Sequence, residues 1–249
     1  MKKMILLLVA LTGILVARAE QKPILLVVTN HGELGKTGKP TGFFLSEAAH
    51  PWEVFRKAGY PVEFASPKGG FAPLDPTSFD LKDSANRVFW EKFGSEEDGR
   101  KGVAKTLALS ALDPAKYSAI FFAGGHGAMW DFPDDAALQK VTASIYEQGG
   151  VVGAVCHGPA ALVAIKLSDG TSLVNNKKVA PFTNAEEEAA GLTAVMPFLL
   201  EDRLKAAGAL PVPAANFSEN AVADGRLVTG QNPTSAKKTA ELLVEALRK

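Results

Sequence analysis

The sequence predicts an α/β domain with a doubly wound parallel sheet and helices on both faces. Three apolar runs carry this prediction, at residues 24–29, 117–123 and 151–155, because each has the length and composition of a buried parallel strand. Segments that can form helices separate these runs, and strands that alternate with helices are typical of a parallel sheet. Ligand sites in such sheets lie at the carboxyl ends of the strands.

The first half of the chain contributes a strand, a helix and a second strand. They are predicted over residues 24–29, from Gly42 to about Gly59, and over residues 62–65. The charged stretch 78–102 is expected to form helix and loop over one edge of the domain, and residues 103–109 are too short a run to assign.

The second half alternates strands and helices more regularly. Its elements are predicted, in order, as a strand at 117–123, a helix at 134–148, the strand at 151–155, a short strand at 178–182, a helix at 196–207, a hairpin or edge strand at 222–229, and a last helix from residue 233 or 235 to 247. No internal repeat or low-complexity tract interrupts this order.

Cys156 lies at the corner between the strand at 151–155 and a helix start that contains Pro159. The free N–H groups of a helix start favour a thiolate, so this position predicts a lowered thiol pKa and a nucleophile. In hydrolases with such a corner, the next backbone N–H helps to form the oxyanion hole, and here that residue is His157. An inert buried thiol is the alternative, which the Cys-His-Gly-Pro run after a buried strand disfavours.

Glu47 is an ionisable residue in an apolar neighbourhood that includes Phe43, Phe44 and Trp52. Burial of that kind raises a carboxyl pKa towards values useful in a general acid. The alternative is an acid in the first turn of a helix, where its charge interacts favourably with the helix dipole.

Gly124 and Gly125 follow the strand at 117–123. Glycines at a strand end allow backbone N–H groups to face an anion, so these two residues are expected to provide the second oxyanion donor. A plain tight turn would use the same residues.

A metal site is not expected. The candidate ligands are His31, His50, His126 and Glu47, of which only Glu47 and His50 have helical spacing. Two residues at that spacing do not make a ligand set.

Three consecutive acids, Glu186 to Glu188, follow the Phe182-Thr183 pair. Such a run is usually a solvated helix start. A functional interpretation needs one of them to orient His157 as the third member of a Cys-His-acid triad, and the residues alone do not select which one.

The N-terminus has the features of a secretory signal peptide over residues 1–19: two lysines, an apolar run at residues 4–16, and the cleavage pattern Ala17-Arg18-Ala19. The apolar run is too short to span a bilayer comfortably, so no membrane association is expected after cleavage, and the protein is expected to be secreted or periplasmic. Residues 20–249 are then expected to form a single domain.

The composition limits the functional classes. Lysine and arginine together number 27, as do aspartate and glutamate, so no charge excess indicates a nucleic-acid partner. The chain contains one cysteine, which excludes an intramolecular disulfide, and its fold must therefore be stabilised by the core.

Four separated motifs together resemble the ThiJ/PfpI superfamily of class I glutamine amidotransferase-like proteins. They are Glu47-Ala48-Ala49-His50-Pro51, Ala123-Gly124-Gly125-His126-Gly127, Ala154-Val155-Cys156-His157-Gly158-Pro159-Ala160 and Gly225-Arg226-Leu227-Val228-Thr229-Gly230-Gln231-Asn232-Pro233. Within the superfamily the chain is similar to the heat-shock chaperone and glutathione-independent glyoxalase branch, from about residue 24 to residue 247. The resemblance implies a flavodoxin-like sandwich with a nucleophile elbow.

The resemblance also implies roles for individual residues. Cys156 matches the family nucleophile, His157 the histidine that follows it, and Glu47 a buried glutamate that contacts the nucleophilic sulfur. In this branch a carboxylate soon after a Phe-Thr pair completes the triad. That position corresponds to Glu187, with Glu186 and Glu188 as open alternatives.

The activity that the resemblance implies is conversion of a small-molecule 2-oxoaldehyde, methylglyoxal or glyoxal, to the 2-hydroxy acid through a cysteine hemithioacetal, with no cofactor. Two alternatives stay open. One is a Cys-dependent amidase or peptidase, and the other is a non-enzymatic chaperone or redox-stress protein in which Cys156 is oxidised to a sulfinate beside Glu47. A homodimer is also left open.

Export gives the first testable prediction. If residues 1–19 are removed by signal peptidase, protein recovered from its native host begins at Glu20. Mass spectrometry of the intact protein measures this directly. An N-terminus at Met1 in that material would contradict the prediction.

Overall fold

The computed structural model describes residues 21–249, and the predicted signal peptide at residues 1–19 lies outside the described residues. The strands are β1 (Ile24–Val27), β2 (Val62–Ser66), β3 (Gly70–Pro73), β4 (Gly94–Glu97), β5 (Arg100–Ala108), β6 (Ala119–Phe122), β7 (Val151–Val155), β8 (Lys178–Val179), β9 (Leu210–Pro211), β10 (Ala221–Asp224) and β11 (Leu227–Gly230). Nine of them form one sheet in the order β10-β11-β7-β6-β1-β2-β5-β3, with β4 paired to β5.

The centre of the sheet is parallel. β1 pairs with β2 on one side and with β6 on the other, and β7 lies between β6 and β11. Every residue of β1, β6 and β7 is buried, which explains why these strands are continuous apolar runs and do not alternate with polar residues. The predicted parallel α/β sheet is confirmed.

Both edges of the sheet are antiparallel. β10 pairs with β11 as the hairpin expected at residues 222–229, whereas at the other edge the expectation of helix and loop over residues 78–102 is wrong in part. A helix does begin after Asp83, whose carboxylate accepts the Asn86 N–H at 2.9 Å. The chain then forms the β4–β5 hairpin through Asp98 and Gly99, which have φ of +50° and +73°. The dipeptide Asp-Gly favours positive φ at both central residues of a hairpin turn. Because β4 carries charged residues, it lacks the apolar pattern that predicts a strand.

The helices are α1 (Leu45–Lys57), α2 (Ser84–Phe93), α3 (Ala128–Asp131), α4 (Ala136–Glu147), α5 (Asn184–Ala189), α6 (Leu200–Ala206) and α7 (Ala236–Leu247). α1 packs against α2 and α7, whereas α4 packs on β6 and β7. Trp52 of α1 contacts Phe89 and Phe93 of α2 edge to face, at centroid distances of 5.9 and 5.3 Å. These aromatic contacts fix the position of α1, which carries Glu47.

Several elements are shorter than predicted: β1 ends at Val27, where the prediction extended to residue 29, and β6 covers only residues 119–122 of the predicted 117–123. Two others differ more. The helix expected at residues 196–207 begins only at Leu200, and the strand expected at 178–182 is reduced to β8, which pairs with β9 in a separate two-stranded sheet. None of the helices between residues 21 and 249 combines the length and the apolarity that crossing a membrane requires.

The parallel register places the functional loops at one edge. Val27 of β1 is level with Phe122 of β6, and Phe122 is level with Ala154 of β7. Because these strands end together, the residues that follow them, among them Gly124 and Cys156, meet at the carboxyl edge of the sheet.

Candidate active site

Cys156 sits on a strained corner directly after β7. Its φ of +59° lies in the left-handed region, which a residue with a side chain occupies only where the surrounding structure holds it. Two hydrogen bonds supply that hold: the Cys156 N–H donates to Gly230 O at 2.8 Å, and the Phe182 N–H donates to Cys156 O at 3.0 Å. The corner has the geometry of a nucleophile elbow.

The segment after the elbow differs from the predicted helix. Residues Gly158–Leu162 form a five-residue 3₁₀ helix, and all five are buried. So short a helix has a weak dipole, which reduces the stabilisation that its N–H groups offer to a thiolate.

Glu47 is completely buried at the start of α1. Its Oε2 accepts the Gly124 N–H at 2.7 Å, and its carboxyl also contacts the Cys156 thiol. Burial raises the pKa of Glu47 from 4.5 to about 8, against the smaller opposing effects of the Cys156 side chain and the Gly124 N–H. The raised pKa expected from the apolar neighbours is confirmed, and the carboxyl keeps its proton at neutral pH.

The two glycines after β6 have different tasks. The Gly124 N–H is committed to Glu47, so it does not provide the oxyanion donor expected of it. A Cβ at Gly124 would also lie 2.7 Å from Glu47 Oε2, which explains the need for glycine. The N–H groups of Gly125 and His157 face the sulfur of Cys156 and are available to an oxyanion formed there.

The pKa of the Cys156 thiol is raised, opposite to the direction that a helix start predicts. Burial is the largest cause, followed by the charge of Glu47 and its hydrogen bond, whereas the N–H groups of His157 and Gly125 lower the pKa. The influence of Glu47's charge requires an ionised carboxyl. With the pKa of Glu47 at about 8, that repulsion is small at neutral pH, and the thiol and the carboxyl titrate as a coupled pair.

His157 connects the thiol to an acid. Its Nδ1 lies 3.3 Å from Cys156 Sγ, and its Nε2 lies 2.7 Å from Glu187 Oε2. Burial lowers the pKa of His157, as does the neighbouring His126, while Glu187 raises it. Burial raises the pKa of Glu187, but its contacts with His126 and His157 outweigh that effect and hold it at about 2. Glu187 is therefore ionised, and it accepts the Nε2 proton, which leaves Nδ1 as the basic nitrogen beside the thiol.

The three acids of α5 have separate environments. Glu187 faces His157, Glu188 is exposed, and Glu186 is buried, so the solvated interpretation holds for Glu188 alone. The Glu186 carboxylate accepts hydrogen bonds from the Thr183 and Phe217 N–H groups and from Asn232 Nδ2, at 2.8 to 3.0 Å. Glu186 thus anchors α5 to a neighbouring loop.

His126 lies next to His157 and Glu187, a position that its sequence did not predict. Its ring centroid is 4.3 Å from that of His157, and its Nε2 is 3.3 Å from Glu187 Oε1. Phe182 covers the His157 ring at a centroid distance of 4.3 Å. Because His126 follows Gly124 by two residues at the end of a central strand, its sequence position could have indicated that it lies near the site.

The metal candidates considered from sequence are not brought together. His31 stacks on Trp130, and His50 pairs with Asp83 Oδ2 at 3.0 Å. Within residues 21–249, the group of histidine and acidic side chains whose ligand atoms converge is a different one, His126, His157 and Glu187.

The environment of Glu186 gives a stability prediction. Glu186→Ala removes the acceptor of several buried donors, each of which costs about 1 to 3 kcal/mol when left unpaired, so we expect a loss of about 3 to 5 kcal/mol in the free energy of unfolding. Glu188→Ala, next to it but exposed, should change that free energy by no more than about 0.5 kcal/mol. Urea denaturation of both variants measures the difference, and equal effects would contradict the assignment.

The raised pKa of Glu47 gives a pH prediction. A carboxyl whose pKa is about 8 in the folded state and 4.5 when unfolded contributes stability that is complete below pH 4.5 and is lost as the pH rises through about 8. Relative to Glu47→Gln, the wild-type free energy of unfolding should therefore fall by about 3 to 4 kcal/mol between pH 5 and pH 8. Urea denaturation at both pH values tests this. A difference between the wild type and Glu47→Gln that stays constant between the two pH values would contradict the assignment.

Comparison with known proteins places this geometry in a family. A model described as the DJ-1/PfpI family matches residues 40–246. Glyoxalase 3 of Candida albicans is 37% identical over 234 residues, which cover 90% of this chain and 97% of that protein. A glutathione-independent glyoxalase of Saccharomyces cerevisiae is 34% identical, with 91% and 98% covered.

Solved structures agree. The crystal structure of glyoxalase III from Candida albicans has a TM-score of 0.82 and 35% identity, covering 91% of this chain and 98% of that one. The Rapid Encystment Protein of 24 kDa from Francisella tularensis has a TM-score of 0.83 and 36% identity, covering 91% and 99%. Since the family model spans most of the sequence and relatives above 30% identity align along nearly their whole length, the chain belongs to the DJ-1/PfpI family.

Proposed function

We propose that this protein is a glutathione-independent glyoxalase that converts methylglyoxal or glyoxal to the corresponding 2-hydroxy acid. The proposal rests on the contacts that link Cys156 to His157 and His157 to Glu187, together with the protonated carboxyl of Glu47 next to the Cys156 sulfur. It places a nucleophile, a base and an acid around one atom. Relatives that align along nearly the whole chain bear the name glyoxalase.

Burial of the site favours a small substrate over a peptide. Cys156 and Glu187 are each 3% exposed, and His157 and Glu47 are fully buried. A two- or three-carbon aldehyde needs little space beside the sulfur, whereas a peptide needs an open groove along the nucleophile. The same burial argues against the amidase or peptidase alternative.

The first step is formation of a hemithioacetal. His157 Nδ1 accepts the thiol proton, and the sulfur forms a bond to the aldehyde carbon of the substrate while the carbonyl electron pair moves to oxygen. The N–H groups of Gly125 and His157 stabilise the resulting oxyanion, which then takes up a proton. Glu187 holds the His157 ring in the tautomer that leaves Nδ1 free to act as the base.

The second step moves hydrogen between the two substrate carbons. His157, which has returned its proton to the oxyanion, removes the proton from the sulfur-bearing carbon, and Glu47 donates its proton to the ketone oxygen as the electron pair forms the double bond of an enediol. His157 then gives its proton to the neighbouring carbon, while the hydroxyl on the sulfur-bearing carbon returns a proton to Glu47. This gives a 2-hydroxyacyl thioester. Water then adds to the acyl carbon, the C–S bond breaks, and the hydroxy acid leaves as the thiol is restored.

The electron balance closes within the substrate. The aldehyde carbon is oxidised to the acid, and the ketone carbon is reduced to the alcohol by the same two electrons. The proposed reaction therefore consumes water alone and needs no external oxidant, reductant or thiol cosubstrate.

We further propose that the protein works outside the cytoplasm. The basic N-terminus, the short apolar run and the Ala17-Arg18-Ala19 pattern support this location. The mass of the N-terminus, as described above, is the test.

Three variants test the assigned roles. Cys156→Ala should abolish turnover, because the covalent adduct cannot form. Glu47→Gln keeps the shape of the side chain and loses its proton transfer, so kcat should fall by about 10²-fold or more. Glu187→Gln should cause a smaller fall, because it acts through His157. Production of lactate from methylglyoxal measures all three.

Glu188→Gln is the matched control, since Glu188 is adjacent to Glu187 but exposed, and it should retain wild-type turnover. Circular dichroism of each variant checks that the fold is intact. Wild-type lactate production by Cys156→Ala would remove the nucleophile from the mechanism and with it the proposed function.

A further inference from the structure

We propose that His126, His157 and Glu187 form a binding site for Zn²⁺, with the two imidazole Nε2 atoms and the Glu187 carboxylate as ligands. The three ligand atoms lie within 4.8 Å of one another. Two imidazoles and one carboxylate are a donor set that suits zinc, with a fourth position left for water.

The distance between His126 and Glu187 fits a metal better than a hydrogen bond. His126 Nε2 and Glu187 Oε1 are 3.3 Å apart, but the contact is not aligned as a hydrogen bond, and neither buried atom has a hydrogen-bond partner among residues 21–249. Ligand atoms about 2.0 to 2.1 Å from zinc in tetrahedral geometry are about 3.3 Å apart. Two of the three ligands therefore already have the required separation.

The third ligand requires a small adjustment. His157 Nε2 lies 2.7 Å from the other carboxylate oxygen, Glu187 Oε2, so this hydrogen bond must open before His157 can share a metal that Glu187 binds through Oε1. The metal then replaces the Nε2 proton that Glu187 accepts. The donor set is favourable, because a carboxylate and two imidazoles lie next to one another and each offers an atom that zinc binds.

The surrounding contacts support this arrangement. When a histidine binds a metal through Nε2, its Nδ1–H usually donates to a second group, and here Cys156 Sγ lies 3.3 Å from His157 Nδ1. The sulfur is therefore on the opposite edge of the ring and outside the site. The side chain of His126 is 20% exposed, against 1% for that of His157, so the metal would reach the site from the His126 side.

Occupancy would inhibit the proposed reaction. Zinc on His157 Nε2 takes the base out of its hydrogen bond with Glu187 and removes the tautomer in which Nδ1 accepts the thiol proton. This inhibition rests on the proposed function, whereas the binding of the metal does not.

The binding test titrates the full chain with Zn²⁺ in competition with a chromophoric chelator. We expect one Zn²⁺ per chain in the wild type and an affinity at least about tenfold weaker in His126→Gln. Cys156→Ala should bind within about threefold of the wild type, since the thiol is not a ligand. His50→Gln is the matched control, because His50 also pairs with a carboxylate, at 3.0 Å, but without a second histidine, and it should leave the affinity unchanged.

Three results would overturn the site: no saturable binding in the wild type, undiminished binding in His126→Gln, or loss of binding in Cys156→Ala, which would assign the metal to the thiol. Loading the wild-type protein with Co²⁺ in place of Zn²⁺ tests the ligand set without any amino-acid substitution. Tetrahedral absorption bands without a thiolate charge-transfer band are expected, and a charge-transfer band would contradict the ligand set.

Inhibition is measured separately. Methylglyoxal turnover should fall in proportion to the zinc occupancy found with the chelator and should return when a chelating agent is added. If the protein has no glyoxalase activity, the binding measurements still decide the metal site, so that failure of the proposed function and failure of the site remain distinguishable.

Discussion

The contact between the buried Glu47 carboxyl and the elbow is the interaction on which the site depends. The carboxyl is held by the Gly124 N–H at 2.7 Å, and it lies against the sulfur of Cys156 in surroundings from which water is excluded. Burial keeps the proton on Glu47, and the proton removes the repulsion that an ionised carboxylate would exert on a thiolate. Packing of α1 on the sheet thus sets the chemistry of the thiol.

Much of the remaining structure keeps the strained elbow in place. β11 provides the carbonyl of Gly230 to the Cys156 N–H, and the segment before α5 provides the Phe182 N–H to the Cys156 carbonyl. The same segment leads through the Thr183 cap into the helix that carries Glu187. Nucleophile, base and acid are therefore linked through backbone hydrogen bonds as well as through side chains, which limits their relative movement.

The sequence was sufficient for the central strands, because buried parallel strands are continuous apolar runs, and for the corner at Cys156 and the burial of Glu47, because each has distinctive neighbours. It was insufficient where tertiary packing decides. The direction of the Cys156 pKa depends on burial and on a carboxyl 109 positions away in sequence, and β4 is a charged strand recognisable only by its Asp-Gly turn. Glu186 and Glu187 have different environments because Glu186 contacts Asn232 and Glu187 contacts His157. Both partners are distant in sequence, so the residues around the two acids do not predict them.

The adjacency of Glu186 and Glu187 has a consequence for how α5 can change. Successive residues on a helix point about 100° apart, so one acid turns towards Asn232 and the next towards His157. Inserting or deleting a single residue between Thr183 and Glu187 would rotate both carboxylates and leave each facing the other's partner or solvent. The spacing from the helix cap to the acid is therefore constrained as tightly as the identity of the acid, and length variation in this family should be found outside this short helix.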